Sequence, residues 1–312
     1  MILCCGEALI DMVPMLGQDG EQGFSARCGG AVFNTAIALG RLECDVALLA
    51  GLSRDLFGRQ LAAELKRSNV DHKYLVFSNR PSTLAFVQLE DGQASYSFFD
   101  ENSAGRELSS AELPTISEEI SCVFFGGISL ISGKCAEAFT DLALRTSTDR
   151  VVMLDPNIRP GFVSNEVAFR KRLFRMIEHT DILKVSDEDL DWLLPTQDSF
   201  EQKAETLLRL GPSLVLVTCG GNGAYAFMSG KDAVRAEAIS TKIADTVGAG
   251  DTFNAGVLAK LSELGLLTKN KLTNLDPARI KEALEFGNLA ASVTVSRSGA
   301  NPPSRSELTE FT

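Results

Sequence analysis

The sequence has no run of about 18 apolar residues, so no membrane-spanning helix is expected. The first segment, "MILCCGEALIDMVP", has neither a basic region nor a small-residue cleavage site, which argues against a secretory signal peptide. Lys and Arg are not clustered, and the net charge of −11 disfavours a nucleic-acid partner. We therefore expect a cytoplasmic protein that binds small molecules, and neither a membrane nor nucleic acid.

Cysteine and histidine are arranged in a way that disfavours a disulfide framework or a zinc site. The 7 cysteines are odd in number, contain no CxxC, and lie partly in apolar runs such as "SCVFFGG". Reduced, buried thiols of the cytoplasm are the expected state. His72 and His179 each stand alone in a polar setting, so neither a His-based zinc site nor a Ser-His-Asp triad is indicated.

Apolar strand-like runs alternate with helical patterns along most of the 312 residues, of which 45% are hydrophobic. Several runs are continuously apolar, as in a parallel sheet that is covered on both faces. The predicted strands are 2–5, 46–49, 123–126, 151–154, 182–185 and 214–218, and the predicted helices are 34–42, 57–68, 134–145, 168–177 and 201–210. This alternation predicts an α/β fold with a doubly wound, mostly parallel sheet flanked by helices.

Two stretches break this alternation. "TLAFVQLEDGQASYSFFDENSA" (83–104) indicates two strands around the turn "EDGQ", in which Asp91-Gly92 is a hairpin signal. "MVPMLGQDGEQGFSARCGG" (12–30) also has the pattern of strand and turn. Together they predict a small β-sheet inserted at about 12–30 and 83–104 into a single domain of 1–312. Such a sheet could act as a lid that excludes water from a reaction, or it could extend the edge of the main sheet.

The segment "DTVGAGDTFNAG" (245–256) combines a glycine-containing loop with an aspartate at the start of an amphipathic helix. That helix is predicted to begin at about Gly250 or Asp251 and to end near Gly265. Gly248 and Gly250 allow close approach to a ligand, and first-turn N–H groups form an anion hole for phosphate. Asp251 could cap the helix or take a proton from an incoming hydroxyl. Neither GxxxxGK[ST] nor a GxGxxG after the first strand is present, so a P-loop and a dinucleotide fold are not indicated.

The context of this segment decides between the two roles. "DTVGAGDTFNAG" resembles the C-terminal signature of the ribokinase-like (PfkB) family of carbohydrate kinases, and "GGAVFNTAIALGRL" (29–42) resembles the N-terminal signature of the same family. The two stretches occur in the order of the family, and the length and strand-rich insert also match, so the resemblance covers essentially the whole chain. "GEALIDM", "LDPNIRP" and "KVSDEDL" are most similar to bacterial fructokinases.

The resemblance implies roles for individual residues. Asp251 matches the catalytic base, and the backbone amides of Gly248, Ala249 and Gly250 match the anion hole. The implied substrate-binding residues are Asp11, Gly29, Gly30, Asn34, Phe98 and Arg159, the last on either sugar oxygens or phosphate. The implied nucleotide-side residues are Asn157, Lys184, Asp189, Thr218, Gly220, Gly223 and Asn288.

Several of these residues also have plain structural interpretations. Asp11 could be a turn residue, and Asn34 could be the N-cap of the first helix. Phe98 could pack in the core, and Tyr96 and Phe99 are its rivals for covering the sugar because strand alternation sends neighbours to opposite faces. Asn288 could be a satisfied polar residue on a helix face.

Cofactors follow from the same resemblance. ATP is the implied phosphoryl donor, used as its Mg²⁺ complex. Many family members also bind K⁺ beside the anion hole. In this chain the implied K⁺ ligands are Asp245 and Val247, with carbonyls of Thr294, Arg297 and Gly299 from the loop "TVSRSGANPP". A homodimer formed through the lid is a further possible partner.

The chain departs from the family pattern at three places. Ser186 and Asp189 stand where the family often has N-x-x-E near the metal, and Glu188 could take the acidic role instead. Glu43 replaces the usual glycine that ends the first signature. Pro303 stands near the position where some relatives offer a serine to K⁺, which puts that ligand in doubt.

The resemblance implies transfer of phosphate from ATP to D-fructose, giving fructose 6-phosphate. The alternative acceptors on the same scaffold are 2-keto-3-deoxygluconate, ribose and nucleosides, which a few pocket side chains would decide. A sugar-binding regulator without catalysis is the alternative from another class, because fold alone does not prove activity. Retention of Asp251, both loop glycines and Lys184 favours the enzyme.

Overall fold

The computed structural model describes residues 1–17, 20–90 and 93–310, with only the backbone described at 88–90 and 93–96. The strands are β1 Ile2–Cys5, β2 Leu9–Leu16, β3 Gln22–Gly29, β4 Val46–Leu49, β5 Gly51–Ser53, β6 Val76–Ser78, β7 Leu84–Glu90, β8 Gln93–Phe99, β9 Cys122–Gly126, β10 Val151–Asp155, β11 Ile182–Ser186, β12 Leu214–Thr218, β13 Ala224–Phe227 and β14 Val234–Ala236. The α-helices are α1 Ala31–Arg41, α2 Leu56–Arg67, α3 Gly133–Thr146, α4 Glu166–Ile177, α5 Asp187–Leu193, α6 Phe200–Leu208, α7 Ala249–Glu263, α8 Lys269–Leu272, α9 Pro277–Val295 and α10 Arg305–Thr309.

The main sheet has the strand order β14-β13-β12-β11-β10-β9-β1-β4 in the described part of the chain. Neighbouring strands from β4 to β12 are parallel. The last two, β13 and β14, are antiparallel and form one edge. The predicted α/β fold with a mostly parallel sheet is therefore confirmed.

Continuous apolar strands have a simple explanation in this sheet. Alternate residues of β1 belong to two different hydrophobic cores: Ile2 and Cys4 face one, and Leu3 and Cys5 face the other. The helices α1, α2, α7 and α9 contribute to the first core, and α3, α4, α5 and α6 contribute to the second. Each strand residue is thus removed from water, so no polar face is needed.

Four further strands form a separate sheet with the order β3-β2-β7-β8, which we name the lid sheet. It does not extend the edge of the main sheet, so that alternative is wrong. The first strand pair begins earlier than predicted, at Leu9, where Leu9 pairs with Gly29, and the second ends earlier than predicted, at Phe99, which pairs with Leu84. The predicted Asp91-Gly92 turn lies outside the described residues.

The remaining expectations from composition can be compared with the structure. All 7 cysteines are free thiols, and Cys4, Cys5, Cys122 and Cys135 are buried. Both histidines are exposed. Within the described ranges, no helix combines the length and the apolar character that a membrane span requires.

Candidate active site

A cavity of about 310 Å³ lies between the lid sheet and the carboxyl ends of the parallel strands. In open α/β sheets this edge is where ligands bind. Its lining residues are Glu7, Leu9, Asp11, Gly30, Ala31, Asn34, Phe98, Gly127, Ile128, Asn157, Arg159, Phe162, Lys184 and the run from Thr246 to Asp251. The two signature segments, which stand far apart in the sequence, therefore meet in one cavity.

The predicted anion hole is formed by the first turn of α7. Gly248 precedes the helix as its N-cap with φ +80°, a left-handed conformation that favours glycine. A Cβ atom at Gly248 would also lie 2.7 Å from the Cβ of Ala300. The helix begins at Ala249, whose N–H donates to the carbonyl of Thr246 at 3.3 Å. Among the described residues the N–H groups of Gly248 and Gly250 have no acceptor, and these two residues line the cavity at the positive dipole end of the helix.

Asp251 is the third residue of α7 and not its cap, so the capping interpretation is wrong. Its side chain is buried, and its Oδ2 accepts a hydrogen bond of 2.9 Å from Asn34 Nδ2. Burial raises the pKa of Asp251 to about 7, and Asp155 and Glu7 add to this rise, while Asn34 and Lys184 oppose it. A carboxyl group that changes charge near neutral pH is suited to general-base chemistry.

Asn34 is not the N-cap of the first helix, so its structural interpretation is wrong as well. The first helix begins at Ala31, and its N-cap is Gly30 with φ +107°. Asn34 therefore lies one turn inside α1, where its side chain is free to reach Asp251 on α7. The N-cap prediction failed because the glycine pair itself starts the helix, three residues earlier than the apolar pattern indicated.

Lys184 is held beneath the anion hole by a buried ion pair. Its Nζ donates to Asp155 Oδ2 at 3.0 Å, and both side chains are almost fully buried. Burial lowers the pKa of Lys184, but Asp155, Asp189 and Asp251 outweigh it and hold the pKa above its usual value. The ammonium also lies 3.3 Å from where a Cβ of Gly250 would stand. It is therefore a charged group next to the predicted phosphate position.

Asp11 faces the cavity from the lid sheet. The register places it between Arg27 on β3 and Ala85 on β7, and Ala85 pairs in turn with Phe98. Gly29 is required beside it, because a Cβ there would lie 2.1 Å from Asp11 Oδ2. Burial raises the pKa of Asp11 to about 6. The carboxylate thus has the position expected of a hydroxyl ligand and does not serve merely as a turn residue.

Phe98 lines the cavity and meets Phe162 edge to face, with ring centroids 4.5 Å apart. Phe99 points to the other face of the lid sheet, where its side chain is 62% exposed and contacts Phe86. Of the two neighbours, Phe98 is therefore the one that faces the cavity. The side chain of Tyr96 lies outside the described residues.

Asn157 and Arg159 enter the cavity on the loop that follows β10. Asn157 has φ +44°, and its N–H donates to Asp155 Oδ1 at 3.1 Å. Arg159 is exposed, and its Nη1 donates to the carbonyl of Ile158 at 3.1 Å. Both Asn157 and Arg159 belong to the lining of the cavity.

Asp189 does not line the cavity, in contrast to the role implied for it. Its Oδ1 accepts from Ile158 N at 2.9 Å, and its Oδ2 accepts from Ser186 N at 3.1 Å. Ser186 returns the interaction by accepting from Asp189 N, which makes a capping box for α5. One carboxylate oxygen thus holds the loop after β10 and the other belongs to the cap of α5, whereas Glu188 is exposed.

The other nucleotide-side residues lie beyond this cavity, near the ends of β12 and β14. Gly220 has φ +50°, and a Cβ there would meet nothing within 4 Å, so this turn is open to a ligand. Gly223 is instead needed for close packing, because a Cβ would lie 2.2 Å from the carbonyl oxygen of Ala236. Thr218 donates to the carbonyl of Val185 at 3.4 Å.

Asn288 ties α9 to the segment after β14. Its Nδ2 donates to the carbonyls of Ala236 and Glu237, at 3.1 and 2.9 Å. The side chain is therefore a satisfied polar group on a helix face, as the structural interpretation had it. Contact with a nucleotide stays a prediction.

Three of the implied K⁺ ligands, Asp245, Val247 and Gly299, lie together beside the anion hole. Asp245 joins their two loops, because its Oδ1 accepts from Val247 N at 3.0 Å and its Oδ2 accepts from Gly299 N at 2.8 Å. Arg297 N donates to the carbonyl of Thr294 at 3.0 Å, on the turn that leads into this loop. The side chain of Arg297 is paired with Glu307 and turns away from the loops. Backbone carbonyl oxygens are thus the groups that this region offers for coordinating a cation.

Three residues of the site were not singled out from the sequence. Glu7 lines the cavity and is buried, Asp155 pairs with Lys184, and Phe162 packs on Phe98. Glu7 follows the first strand in "CGEAL", and Asp155 ends a strand in "MLDPN". Because the carboxyl ends of parallel strands share one edge, this placement was the signal that could have found both acids.

Comparison with known proteins agrees with this geometry. The model of the pfkB family carbohydrate kinases matches residues 1–307. The chain is 46% identical over 282 residues to a fructokinase of Rhizobium leguminosarum bv. trifolii, covering 90% of this chain and 86% of that protein. Its fold is similar to that of a fructokinase with bound ATP from Xylella fastidiosa, with a TM-score of 0.91 and 27% identity over 99% and 97% of the two chains.

A second solved structure is a fructokinase double mutant from Vibrio cholerae O395 in a fructose, ADP and potassium ion bound form. It matches with a TM-score of 0.87 and 26% identity, covering 99% of this chain and 97% of that one. Fold and site thus define a phosphotransferase of the sugar-kinase type. The chain belongs to the pfkB family of carbohydrate kinases.

Proposed function

We propose that this protein transfers the γ-phosphoryl group of ATP to the 6-hydroxyl of D-fructose. The observation that carries the proposal is the meeting of Asp251, the first turn of α7 and Lys184 in one cavity. A carboxyl group of near-neutral pKa, backbone N–H groups at a helix start and a buried ammonium are the groups that phosphoryl transfer needs. The similarity to bacterial fructokinases supports fructose as the acceptor.

The proposed step is a direct in-line displacement. Asp251 takes the proton of the sugar hydroxyl as its oxygen attacks the γ-phosphorus. The bond from the γ-phosphorus to the bridging oxygen breaks, and that oxygen leaves with ADP. The N–H groups at Gly248 to Gly250 and the ammonium of Lys184 stabilise the charge of the transferring group. Positioning and electrostatics supply the catalysis, with no covalent intermediate on the protein.

Asp11, Arg159 and Phe98 are proposed to hold the sugar. A carboxylate can accept hydrogen bonds from two hydroxyl groups, which suits a polyol at Asp11. Phe98 would lie on the apolar face of the sugar, supported from behind by Phe162 at 4.5 Å. The lid sheet would then separate the reacting atoms from bulk water.

Mg²⁺ is proposed to arrive with ATP. Among the described residues, no group of three or more His, Cys, Asp or Glu is arranged to hold a metal. This fits an ion bound mainly by nucleotide phosphates and water. Glu188, which is exposed, is better placed than Asp189 to contact that water, because the oxygens of Asp189 already accept two backbone hydrogen bonds.

K⁺ is proposed to bind between the loops that Asp245 joins. The carbonyl oxygens of Val247, Thr294, Arg297 and Gly299 would supply the ligands. Asp245, both of whose oxygens already accept backbone hydrogen bonds, would hold the two loops in place around the ion. Such a set of carbonyl oxygens fits a large, weakly hydrated cation better than Mg²⁺. Its charge would lie behind the anion hole and would favour phosphate there. Pro303 is buried and has no side-chain oxygen, so the serine ligand of some relatives has no counterpart at this position.

The test is ADP release by a coupled assay across fructose, glucose, mannose, ribose, 2-keto-3-deoxygluconate and adenosine. We expect fructose to give the highest kcat/KM, activity to require Mg²⁺, and replacement of K⁺ by Li⁺ to lower it. A preference for another acceptor would retain the chemistry and reject fructose. Activity on none of them would leave the sugar-binding regulator as the better account.

Phe98 and Phe99 provide a matched pair for the role of the lid sheet. Phe98→Ala should raise the KM for fructose about tenfold, since loss of one aromatic contact costs roughly 1.4 kcal/mol. Phe99→Ala should leave KM within about twofold, because Phe99 lies on the other face. Steady-state kinetics of the two variants measure this, and equal effects would contradict the assignment of Phe98.

We also propose that two copies pair through the outer face of the lid sheet. Phe24, Phe86 and Phe99 form an edge-to-face row on this face, with centroids 5.0 and 5.3 Å apart. Phe24 and Phe99 are 50% and 62% exposed. The row is therefore a contiguous exposed apolar patch, which marks an interaction surface more strongly than a single exposed aromatic does. A twofold interface would bury the same row on both copies. Light scattering should find a dimer that Phe99→Asp converts to monomer, and a monomeric wild type would reject the pairing.

A further inference from the structure

Glu7 is a buried carboxylate that joins two parts of the active site. Its Oε1 accepts a hydrogen bond of 2.9 Å from Ala31 N, the first residue of α1. Its Oε2 accepts one of 3.2 Å from Ser129 N, in the turn after β9. The side chain is only 7% exposed, so these contacts are shielded from water. Such bonds to an ionised group are stronger than neutral ones.

Two glycines make room for the side chain of Glu7 in this position. A Cβ at Gly127, where φ is +70°, would lie 2.1 Å from its Oε1. A Cβ at Gly30 would lie 3.0 Å from its carbonyl oxygen and 3.1 Å from its Cγ. That carbonyl also accepts from Phe33 N at 3.2 Å. The glycines on both sides thus shape a slot for this one side chain.

Glu7 acts as the cap that α1 otherwise lacks. The N-cap residue Gly30 has no side chain to satisfy the first free N–H groups of the helix. A carboxylate at this end is also favoured by the helix dipole. One turn further along α1, Asn34 donates to Asp251 Oδ2 at 2.9 Å. The position of the cap therefore determines where Asn34 meets the base.

We propose that Glu7 is a positioning residue for phosphoryl transfer: by fixing the start of α1 against the turn at Ser129, it sets the Asn34–Asp251 hydrogen bond and the orientation of the base. This inference rests on the proposed function. An isosteric amide cannot replace the carboxylate, because both carboxylate oxygens receive N–H donors and an amide NH₂ would oppose one of them.

The test uses two independent variants. Glu7→Gln removes one acceptor, and Ala31→Pro removes the donor while leaving Glu7 intact, since proline is compatible with the first position of a helix. Both should lower kcat/KM for the preferred sugar about 10²-fold, the order expected when a reacting group is misplaced by about 1 Å. Asp181→Asn is the matched control, because Asp181 accepts from Val152 N and pairs with Lys269 at the far edge of the sheet. The Asp181→Asn variant should have a lower free energy of unfolding and an unchanged kcat/KM.

A double-mutant cycle separates positioning from a general loss of stability. If Glu7 acts through Asn34, the Glu7→Gln/Asn34→Ala double variant should be within about threefold of the worse single variant. Additive losses, or unchanged kcat/KM in both Glu7→Gln and Ala31→Pro, would overturn the proposal.

Hydrogen exchange provides a readout that does not depend on activity. Amide exchange in residues 28–35 should become faster in Glu7→Gln and stay unchanged in Asp181→Asn. Unchanged exchange in Glu7→Gln would overturn the positioning role. An inactive wild type with faster exchange in Glu7→Gln would reject the proposed function and retain the role of Glu7 as the anchor of α1.

Discussion

Asp251→Asn is expected to lower kcat by about 10²- to 10⁴-fold, the usual effect of removing a general base. The amide keeps the shape of the side chain and can still accept the hydrogen bond from Asn34, so binding of sugar and nucleotide should change little. In the wild type, kcat/KM should fall below about pH 7, because the base must be ionised and its pKa is raised to about 7. Initial-rate kinetics between pH 5 and 9 measure both effects.

The same substitution should stabilise the fold above neutral pH. Because burial raises the pKa of Asp251 from 3.8 to about 7, the folded protein binds this proton more tightly than the unfolded chain does. Stability therefore falls as pH rises from about 4 to about 7, by an amount on the order of 4 kcal/mol. Asp251→Asn removes this loss, so its Tm should exceed that of the wild type at pH 8 and approach it near pH 5.

Asp276→Asn is the control for both measurements. Asp276 caps α9 by accepting from Ala278 N at 3.1 Å, and it is exposed. Its replacement should leave kcat unchanged and should not raise the Tm at pH 8. A kcat of Asp251→Asn within threefold of the wild type would show that the carboxylate is not the base.

Much of the fold could be predicted because the main strands are buried on both faces. A fully apolar run of 4 or 5 residues is visible in the sequence, and three predicted strands have the observed bounds: Ile2–Cys5, Val46–Leu49 and Leu214–Thr218. The edge strands β13 and β14 were missed. β13 is an apolar run of 4 residues that could have been assigned as a strand. β14 has only 3 residues, of which one is half-buried and one exposed, so neither periodicity nor composition marks it.

The site was predictable where the chemistry is local and unpredictable where it depends on a distant partner. The loop glycines and Asp251 lie within one segment, and their signature identified them. Asp251 is not the cap because α7 begins two residues earlier, at Ala249, and the Asp251 side chain instead meets Asn34, which is 217 residues away in sequence. Asp189 resembles a metal ligand in the sequence, but in the fold its oxygens are occupied by backbone N–H groups. Hydrogen-bond competition of this kind is settled only by tertiary structure.

Lys184→Met should lower kcat by about 10²- to 10³-fold, the order found when one preorganised donor to a developing charge is removed. The change also leaves Asp155 buried without its cation, and only Asn254 Nδ2 at 2.6 Å and Asn157 N at 3.1 Å remain as its donors. Breaking a buried ion pair in this way typically costs about 3–5 kcal/mol of stability. Because Lys184 also opposes the rise in the pKa of Asp251, the acidic limb of the rate profile should move to higher pH.

Two further variants separate the catalytic loss from the loss of stability. Lys184→Met/Asp155→Asn removes both charges, so it should recover much of the Tm but not the rate, since no cation returns to the phosphate position. Lys269→Met breaks the ion pair of 2.7 Å with Asp181 at the opposite edge of the same sheet. It should lower the Tm and leave kcat unchanged. Recovery of kcat to within threefold of the wild type in the double variant would mean that Lys184 only neutralises Asp155. A persistent loss of kcat together with a restored Tm would place its positive charge on the transferring phosphate, where the geometry around Gly250 leaves room for it.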